Sequence, residues 1–469
     1  MSISSPSDVD PASPEPIELA ADLLDHLAAI RIAALHRLES GDPVYGVTTG
    51  MGAMSKRRLT QPEQSVHQHN LLLGRAVGGP PWLPPAEARA VLLGRLRTFL
   101  TGDSAVSPAL IQQLVALINS PYVPAIPAEG AGSAGEIIPM SHAAGPLVGV
   151  GQLLDSTGRL LPAAGVLPKF VLGPKEGIAL LAGIPGASGR AGLQVARARR
   201  LVDRLSEVAA GAIVVAGANR DPYREVVGRG DEVLASELQR IRALAGEEPE
   251  PRSLQAPVSF RVAGHVHAHV RRSIADLQKA VERAFTGVTD SPAYLDGEFV
   301  GTAGFHGIDL AAYCDHLTAA LAHAAEVSTA RLHRLLDPAV TGLPAQLARD
   351  PGPQAGMVSV HKRAVATAHQ LRRLTLPTAI STTETSNGQE DVQTFSWEAV
   401  GVLAEAIRLT RETTACELLA VRQAFYLAER AAPPGLQGLM AAVDAVVPPI
   451  DADRQFGTDL TNLLTEVMG

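Results

Sequence analysis

The chain is poor in aromatic residues. Phe, Trp and Tyr make up 4% of its 469 residues, while apolar types together reach 46%. Large rings therefore cannot build the core, and Ala, Leu and Val must fill it. A composition led by Ala and Leu favours helix over sheet. Cysteine is almost absent. Cys314 and Cys416 are too few for a disulfide framework, and both stand in helical contexts where they read as small buried hydrophobes. Basic charge is not in excess: the net charge of −8 opposes binding to nucleic-acid phosphates. No apolar run approaches the ~20 residues of a membrane span. The first residues lack the basic and then apolar stretches of a secretion signal. These absences predict a cytoplasmic protein with no membrane or nucleic-acid partner.

What is present is helical periodicity. Residues 1–15, rich in Ser, Pro and Asp, read as a disordered tail. Helical spacing runs from Ile17 to Leu38, then over 64–77, 86–102, 107–119, 139–154, 188–215, 231–245, 262–287, 305–335, 354–374, 395–428 and 435–446. Pro108 suits a first helical turn. Residues 155–174 are irregular, with short strands expected around Lys169–Leu172. Two of the helical patterns run near or beyond 30 residues, far above the usual ~11–12. No internal repeat is visible. The fold class is therefore mainly all-α, a large bundle of long parallel and antiparallel helices. Residues 16–190 read as an N-terminal region of helices and loops, and 191–469 as the long-helix bundle with C-terminal helices. A bundle says little about chemistry, which must come from loops at the helix ends.

Five loops carry it, centred on Tyr45–Gly52, Ala128–His142, Leu254–Arg261, Thr302–His306 and Ser386–Val392. Each alone is weak. A Gly-rich loop is often only a turn, Phe305 alone reads as a core aromatic, and Arg261 alone as half of an ion pair with a helix carboxylate. Their order is the stronger signal. Tyr45-Gly46-Val47-Thr48-Thr49-Gly50-Met51-Gly52 is close to Y-G-V-N-T-G-F-G. Asn70-Leu71-Leu72-Leu73 with Gly78 is similar to N-L-L-L-S-H-x-x-G-x-G. The run from Arg89 to Val106, Pro139-Met140-Ser141-His142, Lys175-Glu176-Gly177-Ile178-Ala179-Leu180, Ser259-Phe260-Arg261, Gly304-Phe305-His306 and Gln389-Glu390-Asp391 follow in the same order. Together these blocks resemble the histidine/aromatic amino acid ammonia-lyase and aminomutase superfamily over about residues 17 to 430.

The resemblance implies a mainly α fold of the ammonia-lyase/fumarase-like type and a homotetramer whose active sites draw residues from three chains. It implies elimination of ammonia from an amino acid by way of 4-methylidene-imidazole-5-one, an electrophile built from an internal Ala-Ser-Gly. Carried over, Tyr45 is the base that removes a β-proton. Arg261 holds the substrate carboxylate with Gln255 in the same loop, a task suited to a guanidinium. Phe305 lines the pocket, Glu390 sits beside the amine as a catalytic residue, and Gln389 binds substrate. A phenol at its usual pKa of ~10 is a poor base at neutral pH, so Tyr45 needs a positive or hydrogen-bonding environment.

The electrophile triplet is altered. The loop reads Gly130-Ala131-Gly132-Ser133-Ala134-Gly135-Glu136. Counted back from His142, the family's triplet falls on Ser133-Ala134-Gly135, whose centre has no hydroxyl to lose. Centred instead on Ser133, the triplet is Gly132-Ser133-Ala134, and the cyclising nitrogen then belongs to a residue with a Cβ, which resists the tight bend. Ala182 and Gly304 stand where the family has Asn, Val258 where it has Tyr, and Arg75 where it has His. Arg75 adds a second cation to the pocket, which suggests a substrate with more than one carboxylate or another anion. The reading is a lyase-type enzyme acting on an amino acid or related carboxylate by proton abstraction at Tyr45, with no cofactor. The alternatives are an ammonia-lyase or aminomutase that forms its electrophile at Ser133, and a non-catalytic family member. A separate class is metal binding by His265-Val266-His267-Ala268-His269. On a strand all three imidazoles would share a face. On a helix only His265 and His269 would. The segment reads as a helix start, so no metal site is assigned.

Overall fold

A computed structural model describes residues 2–247, 250–380 and 383–469. They fall into two units. One comprises Met1–Ala196, Leu277–Cys314 and Pro377–Gly401, and the other Arg197–Asp276, Asp315–Leu376 and Val402–Gly469. Each unit is assembled from separated stretches of chain, where the sequence suggested a single division near residue 190.

The first unit opens with β1 (Ser2–Ile3), paired in parallel with β2 (Glu18–Leu19), and a 3-10 turn at Pro6–Asp8. Ile3 and Val9 are fully buried. The expected disordered tail is therefore an ordered, packed segment; its few apolar side chains are enough to seat it. α1 (Ala21–Leu38) follows, four residues shorter than its apolar pattern because Glu18–Leu19 is in a strand. α2 (Gln61–Leu73) starts in a capping box made by Thr60 and Glu63. α3 (Pro85–Phe99) and α4 (Pro108–Ile118) come next, the latter with Ser107 accepting from the Leu110 N–H and proline in its first turn. β3 (Val123–Pro124), β4 (Gln152–Leu154) and β5 (Leu160–Pro162) form a small antiparallel sheet. Its strands precede the Lys169–Leu172 segment where sequence placed them. α5 (Ile137–Ala144) and α6 (Glu176–Leu181) are short. A core of Leu71, Leu72, Leu93, Leu96, Phe99, Ile178 and Trp397, among others, is fully buried beneath these elements.

Four long helices carry the bundle: α7 (Pro185–Ala216), α9 (Ala263–Thr286), α10 (Ile308–Leu335) and α13 (Ser396–Leu427), with α8 (Glu232–Ala245) between the first two. The hairpin β6 (Ala293–Leu295) and β7 (Glu298–Val300) belongs to the first unit. α11 (Pro338–Thr341), α12 (Val358–Arg372), α14 (Gln437–Val446) and α15 (Phe456–Asn462) belong to the second. In that unit the fully buried Arg331 of α10 pairs with Glu417 of α13 at 2.6 Å. The architecture is mainly helical, as the periodicity predicts. Among the described residues, no helix is long and apolar enough to cross a membrane. Cys314 and Cys416 are both buried, and burial pushes the Cys416 thiol up to about 12.

Candidate active site

Several of the loops singled out in the sequence interlock in the first unit. Gly46 has φ +67°, a conformation that suits glycine. A Cβ there would lie 2.4 Å from Ile178 Cδ1. Gln68 ties the same place together: its Nε2 donates to Gly46 O at 2.9 Å, and its Oε1 accepts from the Ile178 N–H at 3.1 Å. One glutamine of α2 thus joins the Tyr45 loop to the start of α6. Beyond α2, the Gly78 N–H donates to His142 Nε2 at 3.1 Å.

Tyr45 is half-buried. Its phenol oxygen accepts the Gly52 N–H at 2.9 Å. Gly52 in turn borders Ser386, whose Cβ and Oγ lie 3.8 Å from the place a Cβ of Gly52 would take. Ser386 and Thr385 donate to the two oxygens of Glu390, at 3.0 and 3.1 Å. The same carboxylate accepts the Ala134 N–H at 2.9 Å. Phe305 lies against the turn, its Cβ 3.7 Å from where a Cβ of Gly135 would stand. Arg75 is half-buried and touches Met51 Sδ at 4.0 Å. Burial lowers its pKa, and attraction to Tyr45 and Glu390 opposes that fall. Tyr45, Arg75, Ser133, Phe305 and Glu390 therefore belong to one neighbourhood. Gln389 is exposed on the same turn as Glu390.

Gln255 and Arg261 lie in the second unit. There Arg261 donates to Gln255 Oε1 at 3.1 Å, so the partner of the guanidinium is an amide, not the carboxylate that an ordinary surface reading predicts. Arg261 Nε is buried with no partner among the described residues. The histidine triplet begins α9, as read. His267 is buried against Ser206 and Glu237, while His265 and His269 are exposed.

The sequence did not single out the charged layer behind the altered triplet. Glu136 is fully buried and accepts the Gly186 and Ala187 N–H groups at the start of α7, at 2.8 and 2.7 Å. Desolvation pushes its carboxyl up to about 7, against the pull of those two donors, Arg95 and Arg190. Arg95 donates to Ala182 O, and burial brings its guanidinium down to about 10. Lys175 Nζ and Asp290 Oδ2 form a buried pair at 2.9 Å. Trp397 Nε1 donates to Ala128 O at 2.9 Å and fixes the near end of the loop. A buried glutamate in a Gly/Ser loop and a lysine before a short helix were signals of this layer, but nothing in the sequence pairs them.

The altered loop departs from the family's Ala-Ser-Gly in either frame. Ser133 Oγ donates to Ala131 O at 2.9 Å and to Gly135 O at 3.4 Å. In the frame centred on Ser133, the nitrogen that must cyclise is that of Ala134. It carries a Cβ and its N–H is already held by Glu390. In the frame centred on Ala134 there is no hydroxyl. At Gly304, where the family has Asn, a Cβ would lie 2.0 Å from Val288 O. No side chain enters there without a backbone shift.

The long-helix fold is that of the ammonia-lyases and aminomutases. Residues 6–446 match the family described as aromatic amino acid lyase. The chain is 30% identical over 473 residues to histidine ammonia-lyase of Deinococcus radiodurans, an alignment covering 97% of this chain and 90% of the relative. Its fold is similar to tyrosine aminomutase from Streptomyces globisporus, with TM-score 0.90 and 25% identity over 98% of this chain and 94% of that one. It is also similar to Pantoea agglomerans phenylalanine aminomutase, with TM-score 0.93 and 20% identity over 100% and 99% of the two chains. The chain belongs to the aromatic amino acid lyase family, and so to the carbon–nitrogen lyases.

Proposed function

We propose that this protein removes a proton from an amino acid or related carboxylate with Tyr45, as a lyase-type enzyme that works without the methylidene-imidazolone. The observation that carries the reading is the meeting of Tyr45, Arg75 and Glu390 in one unit, beside the altered triplet. A phenol serves as a base when positive charge or hydrogen-bond donors support its oxygen. Tyr45 has the Gly52 N–H and is attracted to Arg75. Arg261, steadied by Gln255, takes the substrate carboxylate, and Phe305 lines the pocket. Glu390 and Gln389 close the amine side.

In this reading the working form is a homotetramer in the cytoplasm, with the Arg261 loop completing a site in another chain. That loop exposes Leu254 at 85% and Val258 at 59%, surface that suits burial against a partner copy.

Ammonia release from a panel of amino acids tests the reading. Tyr45→Phe should lower the rate on any substrate found by ~100-fold or more, with melting temperature unchanged. A Tyr45→Phe protein as active as its parent would remove the tyrosine from the mechanism.

A further inference from the structure

A proton on an ordinary Cβ is too weakly acidic for a phenolate to remove unless the electron pair left behind has somewhere to go. The family solves this with its electrophile, and this loop does not fit one. Some other group must take the charge, and the side of the pocket near Arg75 offers it.

Arg75 follows the end of α2 and is half-buried. A guanidinium presents five donors. Among the described residues, the contact made by those of Arg75 is the weak one to Met51 Sδ at 4.0 Å. Met51 precedes Gly52, whose N–H is on the Tyr45 phenol. The cation and the base are thus joined through two consecutive residues, and they attract each other. His67, on α2, lies near enough to Arg75 to feel its charge, and its Nε2 is buried with no partner among the described residues. Glu390, the nearby anion, has its oxygens occupied by Ala134, Thr385 and Ser386. Arg75 therefore keeps unspent donors beside a proton-abstracting group. A buried or half-buried cation in that state is stabilised by an anionic ligand, and a bidentate carboxylate fits a guanidinium fork.

We propose that Arg75, with His67, binds a second carboxylate of the substrate, attached to the carbon that loses its proton, and that this carboxylate is the electron sink that replaces the electrophile. The substrate class is then a β-carboxylated amino acid, of the aspartate type. The step balances without any co-reactant. Tyr45, as phenolate, takes the Cβ proton. The C–H pair moves into the adjacent carboxylate to give an enediolate, whose added negative charge Arg75 stabilises. The pair then returns to form the Cα–Cβ double bond as the Cα–N bond breaks. Ammonia leaves with the C–N pair, and the product is an unsaturated dicarboxylate. This inference rests on Tyr45 being the base, as proposed above.

The test uses L-aspartate and 3-methyl-L-aspartate, with L-asparagine as the isosteric control lacking the charge. Binding is measured by isothermal titration to the whole purified protein. Exchange of the Cβ proton is followed by NMR in deuterium oxide, and ammonia is assayed in parallel. At least one dicarboxylate should bind tenfold or more tightly than L-asparagine and take up deuterium at Cβ. Arg75→Gln should erase that preference and the exchange, and His67→Leu should weaken both, with melting temperatures held. Arg75→Lys keeps the charge but loses the fork, and should recover part of the binding. Equal binding of acid and amide, or a preference untouched by Arg75→Gln, overturns the proposal. Ammonia released from amino acids without a β-carboxylate overturns it too, and leaves the lyase reading standing. Deuterium uptake without ammonia does the reverse: the subsite stands, and the lyase reading falls.

Discussion

At the scale of single residues, the consequential groups are those whose charge is displaced by burial. Glu136 is the clearest. Its carboxyl is raised by desolvation from 4.5 to about 7, although two N–H groups at the start of α7 hold it. The folded state binds this proton more tightly than the unfolded state. The stabilisation it confers is thus complete below the unfolded value and is lost as pH rises through the folded one. Between 4.5 and about 7 the loss runs at roughly 1 kcal/mol per pH unit. Melting temperature should therefore fall with rising pH across that window, and Glu136→Gln should flatten the slope there; denaturation scans at stepped pH measure it. An identical slope in the variant would show that other groups carry the dependence. The candidate site was legible in unequal degree. Tyr45, Arg261 and Glu390 could be proposed from sequence because each stands in a block of residues whose order is informative. His67 could not, since a histidine on an amphipathic helix carries no signal until its neighbours are known. The link from Glu390 to Ala134 spans 256 positions of sequence and is invisible in it.

At the scale of elements, the long helices were readable because apolar residues repeat with the helical period, and α7, α9, α10 and α13 follow the predicted spans within a few residues. Short α6 and α15 were not, because two turns contain too few repeats to show a period. The N-terminal segment was misread for the opposite reason. Composition suggested disorder, yet Ile3 and Val9 are fully buried. How closely helices approach is set by glycine. A Cβ on Gly94 of α3 would lie 2.1 Å from Pro185 O, and one on Gly189 of α7 2.0 Å from Ala90 O. These neighbours are backbone and cannot swing away. Gly94→Ala or Gly189→Ala should therefore destabilise the protein by about 1–3 kcal/mol or more, read as a lower midpoint in urea. A variant as stable as its parent would mean that α3 and α7 can separate without loss. The pair also matters for the site, since α7 begins where Glu136 anchors the altered loop.

At the scale of the whole molecule, the fold is that of a family whose chemistry ordinarily depends on a group made from its own backbone, while the loop that aligns with its source reads Gly132-Ser133-Ala134-Gly135. The scaffold, Tyr45 and Arg261 remain. Three of the neighbours expected around an electrophile have gone together: Ala182 and Gly304 stand in place of asparagine, and Arg75 in place of histidine. A cation at position 75 is what the proposed change of electron sink requires. The intact mass of the purified protein, followed by the mass of the tryptic peptide that spans Ser133, tests this most directly. We expect the unmodified mass for both. A deficit of two water molecules located in that peptide would show that Ser133 cyclises and dehydrates despite Ala134, and the protein would then work by the electrophile of its family.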